Sequence, residues 1–411
     1  MGKDVTELED PGPKSEPRRP GRGGKLDGPT RMLNAAIEML GRQPPSSITG
    51  RRLAKNARVH HTLIGQTYGT VASLLAAAYK RERDAFIEAE LSDPLQPLRP
   101  FALADYPRFW RAHVHFLLDP FAPEIAVEMA RSNPLKWAAV SMEKQFPNRS
   151  KDVAHSLAAI WWSMQIGALV FEKPLAQGIR ISVRQRDLVR SLTAERIEDL
   201  LANCPDNLVP GPVDESLKTT PLVNPDGVLD AKEWALIEAA ADLLTSRADA
   251  GISGRELASR AKVNYGLIHY YFGSKESVFD KAFIHLHKSY VEDVVGAGDV
   301  HHVIPFKMIG HSPFLRAWAG RELAEVAMPP INLVGMGLLL DYLLDGEGVD
   351  RRSSADLANA QANTYCAIAL QLGWVLSGIS VSEGCDTPEL VIRSYLFVFY
   401  KWFLSGKWLK S

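Results

Sequence analysis

Thirty residues of this chain occur twice. TGRRLAKNARVHHTLIGQTYGTVASLLAAA at 49–78 aligns without a gap with SGRELASRAKVNYGLIHYYFGSKESVFDKA at 253–282, an offset of 204. Gly50, Arg51, Leu53, Ala54, Ala57, Val59, Leu63, Ile64, Gly69, Ser73 and Ala78 recur as identities in the later stretch. The echo extends outward: AAIEML at 35–40 pairs with AAADLL at 239–244, FWRA at 109–112 with FLRA at 314–317, and MQIGALV at 164–170 with LQLGWVL at 370–376. A frame that slips by only two residues over so long a stretch predicts a tandem duplication of a unit of about 190 residues, too long a period for a solenoid. The chain's 411 residues also exceed what one hydrophobic core usually serves.

Composition shifts mark the boundaries. Residues 1–27 are rich in Pro, Gly and charge and read as a disordered arm. A second such stretch, PDNLVPGPVDESLKTTPLVNPDG, reads as a linker over 205–229. The expected organisation is a first reading head over 28–84, a first helical bundle over 85–204, a second head over 230–284 and a second bundle over 285–411.

Almost everything inside each unit has helical signals. Asp230 with Glu233 and Ser253 with Glu256 have capping-box spacing, and Asn264 and Ser274 are suited to open the next two helices. Leu257, Ala258 and Ala261 form an apolar stripe at helical spacing, continued by Leu267 and Ile268. Strand-like alternation is scarce, so the fold class is all-α. The apolar runs at 157–171 and 331–340 are shorter than the ~20 residues a spanning helix needs and are expected as core helices. No membrane partner is expected.

The net charge of -1 says little, but its distribution says more. Residues 49–75 carry Arg51, Arg52, Lys55 and Arg58 with no acid, a local +4; residues 253–279 carry +2. The rest of the chain is therefore negative, and positive charge is gathered at the repeated stretches, as a nucleic-acid footprint requires. Two short helices with a tight connection and a small residue, Ala258, at their approach suit a helix-turn-helix. Asn264, Tyr265, Gly266 and His269 fall on the exposed side of the second helix, where base edges are read. Tyr271 and Lys275 lie beyond, where a hydroxyl and an ammonium can hold phosphates, and Ser253 and Arg255 complete the expected contact set.

The stretch RELASRAKVNYGLIHYYFGSKESVF resembles the DNA-binding region of TetR-type transcriptional regulators, a helix-turn-helix ending in an aromatic-rich run before Ser-Lys-Glu. The resemblance is specific over residues 230–283 and general elsewhere. It implies a recognition helix beginning at Asn264, Tyr265 and Gly266, contacts from His269 and Tyr271, and a phosphate partner in Lys275. It also implies a divergent helical ligand-binding domain whose last two helices form a dimer interface. Lys262 departs from the family at a turn position where Gly is frequent; a positive φ there costs roughly 1 kcal/mol.

The first copy keeps the core letters and changes the reading ones. His60, His61 and Thr62 replace Asn264, Tyr265 and Gly266, Gly65 and Gln66 replace His269 and Tyr270, and Val71 replaces Lys275. With Thr49, Arg51 and Arg52 beside them, His60, His61, Thr62 and Gln66 are expected to read a different sequence rather than none. A chain holding two units can build the two-headed pair within itself, as an internal pseudo-dimer, with the segments Gln165-Ile166-Gly167 and Gln371-Leu372-Gly373 at the interface. Double-stranded DNA, an asymmetric operator, repression and release by a small apolar effector are the expectation. Further homodimerisation is left open. The alternative is a ligand-binding or protein-interaction module that has lost specific DNA binding.

The arm PRRPGRGGK at 17–25 is placed to enter a minor groove or to remain a solvated tail. Cys204, Cys366 and Cys385 have neither an even count nor CxxC spacing, which fits a reducing cytoplasm. The histidine pairs His285 with His287, His301 with His302 and His113 with His115 lack the i, i+4 spacing of a helical metal site. No nucleophile elbow, phosphate loop or dinucleotide fingerprint occurs. No enzyme activity, metal or cofactor is expected.

Overall fold

The computed structural model describes residues 27–119, 129, 133–213, 224, 229–246, 251–294, 307–329, 334–346 and 353–405. Within them every helix and turn belongs to an all-α fold. The arm up to residue 26, most of the linker, and His301 and His302 lie outside the described residues, while Asp27, read as the end of the arm, belongs to the first helix as its cap.

The first half runs α1 (Gly28–Leu40), α2 (Gly50–Ala57), α3 (Thr62–Tyr68), α4 (Val71–Glu90), α5 (Pro107–Leu118), α6 (Pro134–Gln145), α7 (Lys151–Val170), α8 (Glu172–Gly178) and α9 (Arg186–Asn203). The second half runs α10 (Ala231–Ser246), α11 (Gly254–Arg260), α12 (Gly266–Phe272), α13 (Lys275–Val294), α14 (Ser312–Ala324), α15 (Val334–Gly346), α16 (Ser354–Cys385) and α17 (Glu389–Ser405). Helices α2, α3 and α4 start 204 residues before α11, α12 and α13, and α5 starts 205 before α14.

Local chemistry sets these boundaries. Asp27 Oδ1 accepts from Thr30 N at 2.8 Å to open α1, Thr70 Oγ1 accepts from Ser73 N at 2.9 Å to open α4, and Ser274 Oγ accepts from Ser277 N at 3.1 Å to open α13. Asp230 Oδ1 accepts from Lys232 N at 2.8 Å ahead of α10. Each such bond satisfies an amide that the helix leaves orphaned at its start.

The core is shared between the halves. Buried apolar side chains from α1 to α17 join in one cluster, because α7 and α16 cross at the centre of the molecule. Helix α7 is long and apolar enough, by length and composition alone, to cross a membrane, and nearly all of it is buried inside the fold. At the crossing, a Cβ on Gly167 would overlap the Ala369 carbonyl and one on Gly373 would overlap the Ser163 carbonyl. Two backbones approach this closely only where neither carries a side chain.

Further contacts join the halves around the crossing. Asn133 Nδ2, at the start of α6, donates to Ser380 O at 2.8 Å and occupies the space beside Gly384. Gly337 packs against Gly178, and a Cβ on it would stand 3.3 Å from the Gly178 carbonyl. The beginning of the sequence-predicted linker is docked: Gly211 N donates to Ser394 O at 2.9 Å and Leu208 is buried.

Candidate nucleic-acid interface

The second head is built by α10 to α13. Ser253 Oγ accepts from Glu256 N at 3.2 Å and starts α11. Leu257, Ala258 and Ile268 are buried and hold α11 against α12. The turn closes with two bonds, Val263 N to Ala258 O at 3.0 Å and Lys262 N to Ser259 O at 3.1 Å, with Lys262 at φ 56°. This is the Schellman arrangement, in which one left-handed residue lets the chain reverse. Asn264 Oδ1 then accepts from Gly266 N at 2.8 Å, so the Asn264 side chain organises the start of α12.

Asn264 and Tyr265, just ahead of α12, and Gly266 and His269 on it are all exposed, as the helical spacing predicts. The Tyr265 ring lies across Gly254, where a Cβ would come within 2.7 Å of it, and meets the His269 ring edge-on at 5.5 Å. His269 Nδ1 lies 2.9 Å from the Gly273 carbonyl. A carbonyl only accepts, so Nδ1 carries the proton and Nε2 is left for a ligand.

Tyr271 lies within α12, in its last turn, rather than beyond it as expected, while Lys275 opens α13; both differ from the others because the fold already uses their polar tips. The Tyr271 hydroxyl donates to Asp230 Oδ1 at 2.9 Å, and Lys275 Nζ donates to Ile252 O at 2.8 Å. The amide of Lys232 and then the Tyr271 hydroxyl hold the Asp230 carboxyl below the usual range, and the same bond raises the Tyr271 phenol. Both residues tie the head together, and Lys275 retains two further N–H donors. Tyr270, which sequence reasoning passed over, is 78% exposed. Its spacing of four from Gly266 puts it on the same face, a signal that helical periodicity carries.

The first head repeats the frame with other side chains. Thr49 Oγ1 accepts from Arg52 N at 3.4 Å, and Val59 N bonds Ala54 O at 3.0 Å around Arg58 at φ 53°. Gly69 and Gly273, also 204 apart, have φ of 78° and 75°. His60, His61, Thr62 and Gln66 are exposed. His60 Nδ1 and Thr62 Oγ1 are 2.7 Å apart, and the His60 and His61 rings pack at 4.5 Å. Arg51 stands exposed, while Arg52 spends its guanidinium on Gln43 Oε1 at 3.0 Å and Ser47 O at 3.3 Å. Arg255 is exposed in the second head.

Known proteins resemble this chain in sequence. The family described as "Bacterial regulatory proteins, tetR family" matches residues 236–282, which span the second head. The chain is 40% identical over 159 residues to the HTH-type transcriptional repressor Rv3405c of Mycobacterium tuberculosis and equally to the HTH-type transcriptional regulator Mb3439c of Mycobacterium bovis. In each case the match covers 38% of this chain and 78% of the relative. With the helix-turn-helix geometry and relatives covered over most of their length, the chain belongs to the tetR family of bacterial regulatory proteins.

Proposed function

We propose that the chain is a DNA-binding transcription regulator, two TetR-type units fused in one polypeptide, reading an asymmetric operator through two unlike helix-turn-helix heads. The observation that carries this reading is the reciprocal crossing of α7 and α16 at Gly167 and Gly373, beneath heads that keep one frame and differ in their exposed letters. A two-fold interface pairs a patch with its own copy, so that residue i meets j and j meets i. Gly167 against Ala369 and Gly373 against Ser163 follow that rule at the repeat offset of 206. One chain then supplies both heads that a dimer would otherwise bring to successive turns of the major groove, roughly 34 Å apart.

Repression is the proposed sign, because one relative bears the name repressor. Release would come from an apolar effector that shifts the population of head separations. The aromatic cluster of the first bundle supports such a site. His113 Nε2 and Trp162 Nε1 are buried there without a hydrogen-bond partner among the described residues. Burial pushes His113 down to about 3, so it presents a neutral imidazole.

Selection of binding sites from random double-stranded DNA tests the reading. A recovered site with two different half-sites, bound one chain per site with a steep salt dependence, is expected. A strict palindrome bound by two chains would show that only the second head reads DNA. No selected sequence at all would favour a ligand-binding or protein-interaction module.

A further inference from the structure

We infer that Arg111 and Arg316 form a reciprocal clasp that positions the two heads relative to each other. Arg111 lies on α5 within FWRA, and Arg316 lies 205 residues later on α14 within FLRA. Arg111 Nε donates to Gly41 O at 2.6 Å, at the C-terminus of α1 in its own head. Its Nη2 donates to Leu323 O at 2.6 Å, near the C-terminus of α14 in the opposite half. Arg316 repeats the pattern nitrogen for nitrogen. Its Nε donates to Thr245 O at 2.9 Å, in the last turn of α10, and its Nη2 donates to Leu117 O at 2.6 Å, near the C-terminus of α5.

The chemistry suits the task. The last carbonyls of a helix lack intrahelical partners and carry the negative end of its dipole, so a guanidinium is the complementary cap. A planar fork can hold two carbonyls at a fixed angle, which a lysine ammonium on a flexible stem cannot. Each arginine therefore ties three helices at one point: the first helix of its head, its own bundle helix and the facing bundle helix of the other half. The two points are equivalent, so sliding α5 along α14 strains both forks together and drags the C-termini of α1 and α10 with it. Glu325, whose Oε1 is 3.8 Å from Arg111 Nη2, supports one fork from the solvent side.

In its consequence for DNA this inference rests on the two-headed reading, so the test has a readout without DNA. Cysteines introduced at exposed Asn56 and Ser259 in the full chain carry spin labels, while the native Cys204, Cys366 and Cys385 are buried. Pulsed electron paramagnetic resonance gives the head-to-head distance distribution in the parent and in Arg111→Met and Arg316→Met, which keep the stem and lose the fork. Each Met variant is expected to broaden the distribution, and the double variant to add little beyond either single one. Arg111→Lys, which keeps the charge but puts its donors on a single nitrogen, should fold in any case and broaden the distribution less. On the operator found by selection, the Met variants should lose about tenfold in discrimination against a spacer changed by one base pair, with an unchanged salt slope. Distance distributions identical to the parent in all three variants, whatever the change in Tm, would overturn the clasp. A parent chain that binds no DNA would remove the regulator reading and leave the distance measurement to decide this one.

Discussion

Gly167 of α7 and Gly373 of α16 face each other with no side chain between them. A Cβ on Gly167 would lie 2.8 Å from Gly373 N, and one on Gly373 would lie 2.9 Å from Gly167 N. Small residues flank both glycines one turn away, Ser163 before Gly167 and Ser377 after Gly373, whose hydroxyl turns back to the Gly373 carbonyl at 2.7 Å. The two halves approach backbone to backbone at this crossing.

Gly167→Ala and Gly373→Ala should each lower stability by about 3 kcal/mol or more, since the added methyl meets backbone that cannot rotate away. Chemical denaturation reads the change. Gly65→Ala is the control: its Cβ would enter open space on α3, and alanine should raise stability by about 0.5–1 kcal/mol. A Gly373→Ala protein as stable as the parent would mean the helices do not cross here.

Lys262 and Arg58 occupy the left-handed turn of the two heads, at φ 56° and 53°. Glycine adopts that conformation without the Cβ clash, so Lys262→Gly and Arg58→Gly should each gain about 0.5–1 kcal/mol. Unfolding midpoints that fall in both variants would count against the strain.

His113 and His115 are buried, and burial pushes both imidazoles down to about 3, with the Arg111 charge adding to the effect on His115. In the unfolded chain each takes up a proton near pH 6.5. Between these values the unfolded state binds more protons, so stability falls as pH drops from about 6.5 toward 3, at about 1 kcal/mol per pH unit for each histidine. His115→Gln should remove one such share of the slope measured between pH 6 and pH 5. An unaltered slope would show that His115 takes up its proton in the folded chain as readily as in the unfolded one.

Within the two heads, base-reading and phosphate-holding residues should separate by measurement. Tyr265→Ala and Tyr270→Ala should cost about 1–3 kcal/mol at one half-site only, and Thr62→Ala at the other. Arg51→Ala should weaken all sequences alike and lower the salt slope by about one. Thr62→Ala binding with parental affinity at every half-site would reduce the first head to a scaffold.

Much of the head was legible before any coordinates. Ser253, Asp230 and Ser274 are caps, Lys262 is left-handed, and Asn264, Tyr265, Gly266 and His269 are exposed, because each property depends on neighbours within a few residues. Tyr271 and Lys275 were legible as polar groups beside the recognition helix but not as internal struts. Their acceptors, Asp230 and Ile252, stand 41 and 23 residues away in sequence.

By itself, the sequence determined the helical periods, the caps and left-handed turns, and the repeated frame that makes α11 to α13 a second edition of α2 to α4. The repeat put the segments around Gly167 and Gly373 at the interface, but only the tertiary structure decided that the halves share one core, that these two glycines meet backbone to backbone, and that Arg111 reaches Leu323 while Arg316 reaches Leu117. The physical reason is range. Caps and turns are settled by bonds that close within one turn of chain, whereas a contact between helices some 200 residues apart depends on how two surfaces cross, which no local pattern of letters encodes.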